Sequence, residues 1–315
     1  MRDKPDMQSL FGGCQMNGFA DFPVRSVDRV EGADVAVVGV PVATSYATVG
    51  AYCAGAPEAI RRAFGWSGVL HHHDFDLEGT LLGETGCAVD CGNLACSESD
   101  FGYNRALIRD AMHRVLKNQA VPVVLGGDDS VPIPVLQAYE DFGPITILQL
   151  DAHIDWRDEV HNERFGLSSN MRRASEMSWV EGIIQVGARG LGSARPGDVR
   201  DALDWGVEFF PMHQVSEQGL EAVVGAVPAG ARVYIALDID VMDPSVVPAV
   251  IGPAPGGFAY WDVVALFRKV ARKARIVGFN LVELMPDADI GGRGTLVAAR
   301  IAATVSGLIA RQRQP

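Results

Sequence analysis

Positive charge is scarce in this chain of 315 residues, which carries 27 lysines and arginines against 39 aspartates and glutamates. The formal net charge of -12 argues against nucleic acid and anionic membranes as partners, because both attract basic surfaces. An acidic protein suits a small cationic substrate instead. Hydrophobic residues make up 48% of the chain and charged residues 21%, so we expect a large core and no extensive disorder.

Long apolar segments are also missing. No stretch approaches the ~18 consecutive apolar residues of a membrane span, so we expect no membrane segment. The stretch Met1–Gly18 mixes charges with glycines and lacks the apolar centre of a signal peptide. The five cysteines are an odd number, and Cys87, Cys91 and Cys96 do not form the CxxC pairs of zinc or redox sites. These features predict a cytoplasmic protein with small buried thiols.

Apolar runs alternate with longer amphipathic stretches. Most runs are continuous, which is typical of strands buried on both faces. The alternation predicts an α/β fold with a single doubly wound, mostly parallel sheet and helices on both faces. No repeat, low-complexity tract or long linker interrupts it, so we predict one domain over residues 1–315. The predicted strands are Asp34–Val40, Cys87–Cys91, Val121–Leu125, Ile145–Leu150, Ile183–Gly187, Val233–Leu237 and Ile276–Val282, and the predicted helices are Pro57–Phe64, Tyr103–Asn118, Pro132–Tyr139, Met171–Trp179, Gly197–Leu203, Gly219–Ala226, Tyr260–Ala274 and Arg293–Arg311.

Acidic residues follow three of the predicted strands. After Ile145–Leu150 and Val233–Leu237, the polar residues stand at alternate positions, and an extended chain points alternate side chains to one side. Because the carboxyl ends of parallel strands meet at one edge of a sheet, we expect these side chains to converge there. The candidate metal ligands are Asp129, Asp151, His153, Asp155, Asp238 and Asp240.

Carboxylates crowded at the ends of buried strands repel one another and lose hydration, and divalent metal ions offset both effects. Six ligands are too many for one transition-metal ion but suit two. Two ions roughly 3.5–4 Å apart can hold a shared hydroxide and lower the pKa of its parent water. Oxygen-rich ligands with few nitrogens and no sulfur favour Mn²⁺ over Zn²⁺. Each motif alone is also compatible with a capped loop or an ordinary strand exit, but the three together predict a two-metal site.

The motifs at these strand ends resemble those of the ureohydrolase family, which comprises arginases, agmatinases and related amidinohydrolases. Gly126–Ser130 resembles the family's GGDHS, Asp151–Asp155 matches DAHxD, and Ala236–Pro244 matches SxDxDxxDP. Gly50–Arg61 resembles the family's early segment of glycines, a proline and Ile-Arg, and Leu281–Pro286 resembles its late DxxExxP segment. The resemblance therefore covers nearly the whole chain.

The resemblance implies an arginase-like fold with two Mn²⁺ ions, usually assembled into trimers or hexamers. It implies hydrolysis of a guanidino group to urea and an amine. Asp155 would hold the metal-bridging hydroxide by a hydrogen bond, and Glu283 would pair with the guanidinium of the substrate. The resemblance also implies the metal ligands. Asp151 and Asp238 would bind both ions. Asp155 and the residue at position 129 would complete the binding of one ion, and His153 and Asp240 that of the other.

Two positions depart from the family pattern. Asp129 stands where the family has a metal-binding His; its shorter, negative side chain should raise the pKa of the bridging water, weaken one metal or select another ion such as Ni²⁺. Leu167 stands where agmatinase-like members have a His that relays protons. His161, six residues upstream, is the candidate substitute, and an exposed loop His is the alternative interpretation.

The leading functional hypothesis is a binuclear-metal amidinohydrolase for an agmatine-like guanidino compound. Trp156–Glu159 lacks the Asn/Ser pattern with which arginases hold an amino acid head group, so we expect a substrate without an α-carboxylate or one held by different distal contacts. One alternative is a hydrolase of an unusual guanidine or amidine that uses another metal such as nickel. The other is a catalytically weak subunit that forms a hetero-oligomer with an intact paralog.

Two further segments carry predictions. The Pro- and Gly-rich loop Val247–Gly257 follows the second Asp motif and is the predicted rim of the site. The tract His71–Asp74 looks like a metal-binding sequence but has no partner motif, so we expect a solvated loop.

Overall fold

The computed structural model describes residues 10, 18–65 and 68–313. Ten strands are present in this part of the chain, and they include all seven of the predicted ones. Their bounds are β1 Val35–Val40, β2 His73–Asp74, β3 Gly79–Thr80, β4 Ala88–Asn93, β5 Val121–Gly126, β6 Ile145–Leu150, β7 Val180–Val186, β8 Glu208–Phe210, β9 Arg232–Asp238 and β10 Arg275–Val282.

Nine α-helices of at least six residues occur in the described residues from position 18 onward. Eight correspond to predicted helices, although Met171–Trp179 was predicted too long, because the helix ends at Ser175 and the chain turns into β7. The bounds are α1 Ala56–Arg62, α2 Phe101–Lys117, α3 Pro132–Gln137, α4 Asn170–Ser175, α5 Pro196–Trp205, α6 Met212–Gln218, α7 Glu221–Ala226, α8 Tyr260–Lys273 and α9 Arg293–Arg311.

Eight strands form one sheet in the order β4-β1-β5-β10-β9-β6-β7-β8. Every neighbouring pair is parallel, as predicted. β5 and β6 follow each other in sequence, yet β10 and β9 lie between them. This insertion places the carboxyl ends of β5, β10, β9 and β6 side by side at the centre of the sheet, where open α/β sheets bind their ligands.

Helices cover both faces of the sheet, as the continuous apolar runs predict. Within β9, Val233, Ile235 and Leu237 point into one hydrophobic core, and Tyr234 and Ala236 point into the other. The first core is completed by α1 and α6–α9, and the second by α2–α5. Because the strand buries both alternate sets of side chains, it shows no polar alternation in sequence.

Besides the short strands β2 and β3, one strand and one helix escaped prediction, for reasons visible in the structure. β8 has three residues and lies at the edge of the sheet, with Glu208 exposed, so it lacks a long apolar run. α6 buries only Met212 and Val215 and is otherwise polar. The strands β2 and β3 form a separate antiparallel hairpin. The tract His71–Asp74 is largely exposed, as predicted, although its last two residues form β2.

One helix among the described residues, α9, is long and apolar enough to cross a membrane by length and composition alone. However, 72% of its 18-residue apolar window is buried inside the protein, where it packs against α1 and α8. Core helices meet the same criteria, and α9 is such a helix here: Ala299, Ile301 and Val305 belong to the first hydrophobic core.

Candidate metal centre

The register of the central strands brings the acidic motifs to one edge of the sheet. Val282 at the end of β10 pairs with Asp238 at the end of β9, and Leu237 pairs with Leu150 at the end of β6. Asp151 and Glu283 therefore lie immediately beyond the ends of β6 and β10, the two strands that flank β9. The motif that follows β5 lies against the same edge, because the backbone N–H of Asp129 donates a 2.8 Å hydrogen bond to Glu283 Oε1.

Two groups of side chains place potential ligand atoms within 4.8 Å of one another. One group comprises Asp129, Asp151 and Asp238, and the other comprises Asp151, His153 and Asp240. Asp151 belongs to both groups. His153 Nδ1 lies 2.9 Å from Asp240 Oδ2 and 3.4 Å from Asp151 Oδ1. The arrangement can hold two metal ions that share the Asp151 carboxylate.

The carboxyl group of Asp155 lies beside both groups of ligands. It is within hydrogen-bonding reach of the Asp129 and Asp151 carboxyl groups. Its backbone φ is 46°, in the left-handed region that non-glycine residues rarely adopt. Strained backbone of this kind often marks functional sites, because the surrounding structure must hold it in place. Five predicted ligand side chains thus surround Asp151.

Three side-chain amides support this cluster, and sequence reasoning missed all of them. Gln149 Nε2 donates to Asp151 at 2.8 Å and to Asp155 at 3.3 Å, and Gln185 Nε2 donates to Gln149 Oε1. Asn170 Nδ2 bridges the carboxylates of Asp129 and Asp155. A sequence signal existed for Gln149, which is a polar residue inside a buried strand, two positions before Asp151 and on the same face.

Glu283 lies next to the metal ligands and is 2% exposed. Tyr52 Oη donates to both of its carboxylate oxygens, at 2.9 and 2.7 Å. Burial raises the pKa of Glu283 to about 8; the nearby Asp128 raises it too, while the hydrogen bond from Tyr52 acts in the opposite direction. The φ of Glu283 is 69°, so this residue also has a left-handed backbone. Tyr52, in the glycine-rich segment, was not identified from the sequence.

Negative charge is crowded and poorly compensated at this edge. Burial first, and then repulsion by neighbouring carboxylates, hold the pKa values of Asp129, Asp151 and Asp238 well above the usual range for Asp. Burial lowers the pKa of His153, but Asp240 and other acids outweigh it and raise that pKa to about 9.

Among the described residues, Arg189 acts electrostatically on the cluster but forms no ion pair with its carboxylates. Arg189 directs its guanidinium to backbone carbonyls, including those of Asp240 and Ala254 at 2.8 Å. Buried carboxylates with so few cations around them need added positive charge, and oxygen-rich ligand sets of this kind suit divalent ions such as Mn²⁺. The residues present therefore fit a pair of divalent metals.

A cavity of about 240 Å³ opens onto the cluster. Asp155 and Glu283 line it beside four of the other candidate ligands, and Ile251 and Gly252 line it from the loop predicted to form the rim. A Cβ atom at Gly252 would lie 2.7 Å from His153 Cε1, so a larger residue there would displace the His153 ring. Leu167, at the place of the family's relay His, also lines the cavity.

The structure brings the predicted ligands and Glu283 together but leaves His161 apart. His161 is exposed on a turn with φ 53° and does not line the cavity. No hydrogen bond or ion pair links its side chain to the metal-ligand cluster within the described part of the chain. The cysteines Cys87, Cys91 and Cys96 are free thiols of intermediate burial, away from the cavity lining. The fifth, Cys14, lies outside the described residues.

Comparison with known proteins places this geometry in a family. The sequence model of the Arginase family matches residues 33–307. The chain is 37% identical over 182 residues to N(1)-aminopropylagmatine ureohydrolase of Thermus thermophilus, a match that spans 58% of this chain and only 60% of that protein. It is 30% identical over 280 residues to proclavaminate amidinohydrolase of Streptomyces clavuligerus, spanning 86% of this chain and 87% of that enzyme.

A solved structure of proclavaminate amidinohydrolase from Streptomyces clavuligerus superposes with a TM-score of 0.83 at 26% identity, covering 95% of this chain and 99% of that one. The sequence match and the structural match both extend across the sheet and its helices. The family model covers residues 33–307, which include the whole sheet and the acidic cluster at its carboxyl edge, and this chain therefore belongs to the arginase family.

Proposed function

We propose that this protein hydrolyses a C–N bond of a small guanidino compound to urea and an amine at a centre of two divalent metal ions. The observation that carries the proposal is the Asp151 carboxylate, which belongs to two adjoining groups of ligand atoms beside a buried Glu283. Family membership supports the reaction class. Mn²⁺ is the proposed metal because five of the six candidate ligand residues are aspartates.

The proposed ligand assignment extends the two groups: the resemblance to the ureohydrolase family adds Asp155 to the group of Asp129 and lets Asp238 serve both. Asp151 and Asp238 would lie between the ions, with Asp129 and Asp155 on one side and His153 and Asp240 on the other. When bound, two such ions lower the pKa of water and so supply a nucleophile at neutral pH. Gln149 and Asn170 orient the carboxylates through the hydrogen bonds already described, as supporting residues do in metal sites.

Glu283 is the proposed partner of the substrate guanidinium. Its carboxylate lines the cavity, and the hydrogen bonds from Tyr52 and from the Asp129 N–H fix its plane. A guanidinium presents two parallel N–H groups to a carboxylate and restores the charge balance around it. Asp155 lines the same cavity and is the proposed acceptor of a hydrogen bond from the attacking water.

The cavity favours a small substrate without a carboxylate. Its volume of about 240 Å³ is below the roughly 300–1,000 Å³ of common ligand pockets. The one arginine in its lining, Arg157, already pairs with Asp198 and is not available for an α-carboxylate. Leu167, Ile251 and Trp156 add apolar surface. We therefore propose agmatine or a shorter, uncharged-tailed guanidine rather than arginine.

The test is urea release from a panel of guanidino compounds that includes agmatine, arginine, guanidine and N-alkylguanidines, with metal-loaded protein. We expect urea from at least one compound without a carboxylate and none from arginine. Glu283→Gln should raise KM by roughly 10–100-fold because it removes a charge-assisted contact. Glu98→Gln, a surface carboxylate distant from the cavity lining, is the matched control. No urea from any compound would refute the proposal.

A second candidate keeps the fold and changes the metal or substrate. Asp129, in place of the family's His, is held by Asn170, and Leu167 brings no proton relay to the cavity. Both features favour an unusual guanidine or amidine substrate with an ion such as Ni²⁺. Protein purified without added metal and then loaded with Mn²⁺ or Ni²⁺ separates the two candidates, because each predicts full turnover with a different ion.

We also propose that the protein is a cytoplasmic homo-oligomer, a trimer or a hexamer. The alternative, a weakly active subunit in a complex with an intact paralog, predicts co-purification with that paralog and fewer than two metal ions per chain. Light scattering of the protein expressed alone, together with its metal content, tests both assemblies.

A further inference from the structure

A second cavity lies at the opposite edge of the sheet. It measures about 640 Å³ and is formed where β5, β9 and β10 begin, at Val121, Arg232 and Arg275. Arg313, just beyond α9, and Asp34, just before β1, complete its charged lining. We call this cavity the arginine cleft. Its size falls within the roughly 300–1,000 Å³ of small-molecule sites.

Positive charge in the arginine cleft exceeds the negative charge that the described residues contribute to its lining. Of its charged lining residues, three are arginines and one, Asp34, is acidic. Asp34 Oδ1 lies 3.8 Å from Arg313 Nη1, while its Oδ2 accepts a 2.9 Å hydrogen bond from the Cys87 N–H. The cleft therefore carries a net positive charge in a protein whose overall charge is -12.

Two of the arginines have no partner for their guanidinium groups. Among residues 18–65 and 68–313, no carboxylate pairs with Arg232 or Arg275, and neither side chain donates a hydrogen bond. Arg232 Nε is buried and has no acceptor at all. A buried donor without a partner costs free energy, and an arginine at a strand end normally finds an acceptor.

Mutual repulsion accompanies this lack of partners. Burial lowers the pKa of Arg232 and of Arg313, and the charge of Arg275 lowers both further. Arginine side chains nevertheless stay protonated in proteins, so all three guanidinium groups of the cleft carry a positive charge. An anion between the three groups would reduce their repulsion and would accept a hydrogen bond from the buried Nε of Arg232.

We propose that the arginine cleft binds a small molecule that carries a multivalent oxyanion of the phosphate type. Planar guanidinium groups offer pairs of N–H donors that match phosphate oxygens, and three of them match a dianion better than a single carboxylate. The size of the cleft suits a small molecule, and the acidic remainder of the protein disfavours a long polyanion. This site is independent of the metal centre and of the proposed hydrolysis.

The test is equilibrium dialysis of the metal-loaded protein against labelled inorganic phosphate at low ionic strength. We expect about one equivalent per chain, and weaker binding as KCl screens the charges. Arg232→Gln combined with Arg275→Gln should weaken binding by at least about tenfold. Arg25→Gln combined with Arg29→Gln changes the net charge equally at exposed positions outside the cleft and should leave binding unchanged.

Two further variants make the outcome decisive. Arg275 is exposed, so Arg275→Glu removes binding without disturbing the core and serves if the double variant does not fold. Asp238→Asn alters the metal centre and should bind phosphate as the unmodified protein does. Absence of phosphate binding, equal loss in both arginine pairs, or loss in Asp238→Asn would each overturn the proposal.

Discussion

Strand β9 begins at Arg232 and ends at Asp238, so one strand joins the arginine cleft to the metal centre. At about 3.3 Å per residue, the two ends lie roughly 20 Å apart. The carboxyl edge gathers buried acids and a network of amides that hydrogen-bond to them. The amino edge gathers three arginines, of which Arg232 and Arg275 have no acceptor among the described residues.

The two edges differ in how fully the protein's own side chains hold their charged groups in place. At the metal centre, Gln149, Asn170 and Tyr52 already orient the carboxylates, and divalent ions would supply the missing charge. In the arginine cleft, no comparable side-chain network holds Arg232 and Arg275 among the described residues. The first edge is thus preorganised for a defined chemical step, whereas the second is suited to binding.

Removal of the Asp151 carboxylate, which both ligand groups share, should have the largest effect on metal binding and activity. Asp151→Asn takes one ligand from both metal positions, so we expect fewer than two metal ions per chain and a fall in urea formation of at least about a thousandfold. Elemental analysis and urea release measure the two effects. Asp110→Asn, on the exposed face of α2, is the matched control and should retain both. Full activity in Asp151→Asn would contradict the ligand assignment.

The metal-free protein should lose stability as pH rises. Folding raises the pKa of Asp128 to about 6 and that of Glu283 to about 8, chiefly through burial, so the folded protein binds more protons than the unfolded chain. The free energy of unfolding is therefore highest below the unfolded pKa values, near ~4, and falls by on the order of a few kcal/mol as pH passes through the folded values.

Urea unfolding between pH 5 and pH 8.5 measures this slope. Added divalent ions should flatten it, because they replace protons as the compensating charge. Glu283→Gln should also reduce the slope, while Glu98→Gln, on the surface, should not. A stability that stays constant or increases with pH in the metal-free protein would show that these carboxyl groups are not crowded as described.

Loss of a supporting amide should have a smaller effect. Asn170→Ala removes the bridge between the Asp129 and Asp155 carboxylates, and we expect metal affinity to fall by roughly 10–100-fold. Metal titration with a competing chelator measures it. Asn118→Ala, whose amide bonds only a helix carbonyl, is the control. Unchanged affinity would mean that Asn170 does not position these ligands in the metal-bound protein.

The smallest expected effect is the coupling between the two edges. Arg275→Gln and Asp151→Asn lie at opposite ends of the sheet and share no partner, so their changes in unfolding free energy should add to within about 0.5 kcal/mol. Urea unfolding of the single and combined metal-free variants gives the coupling energy. A larger value would mean that the two sites communicate through the strands.

Much of the fold and the acidic half of the site could be predicted from sequence. Continuous apolar runs are a local property, and they identified all seven of the longer strands and hence the parallel sheet. Alternate carboxylates directly after a buried strand must share one side of the chain, which is why Asp151, His153 and Asp155 were predicted together. The predicted single domain and cytoplasmic location remain predictions.

The short edge strand β8 and helix α6 carried too little apolar pattern to be recognised. The relay role assigned to His161 rested on its position in sequence, and the fold places this residue on an exposed turn. Closeness along the chain is a poor guide to closeness at a site, because loops leave the sheet edge in directions that their own sequence does not specify.

The charged residues at each strand end can be read directly from the amino-acid sequence. Two contacts depend on the tertiary structure instead. Tyr52 donates a hydrogen bond to Glu283, which is 231 positions away in sequence, and Asn170 donates to the carboxylates of Asp129 and Asp155. The same holds for Arg232 and Arg313. They line one cleft because β9 lies between other strands and α9 returns to the amino edge of the sheet. In a parallel sheet, residues that follow the strands lie at one edge and residues that precede them lie at the other. Which of these residues become neighbours depends on the order of the strands, and long-range packing rather than local sequence pattern fixes that order.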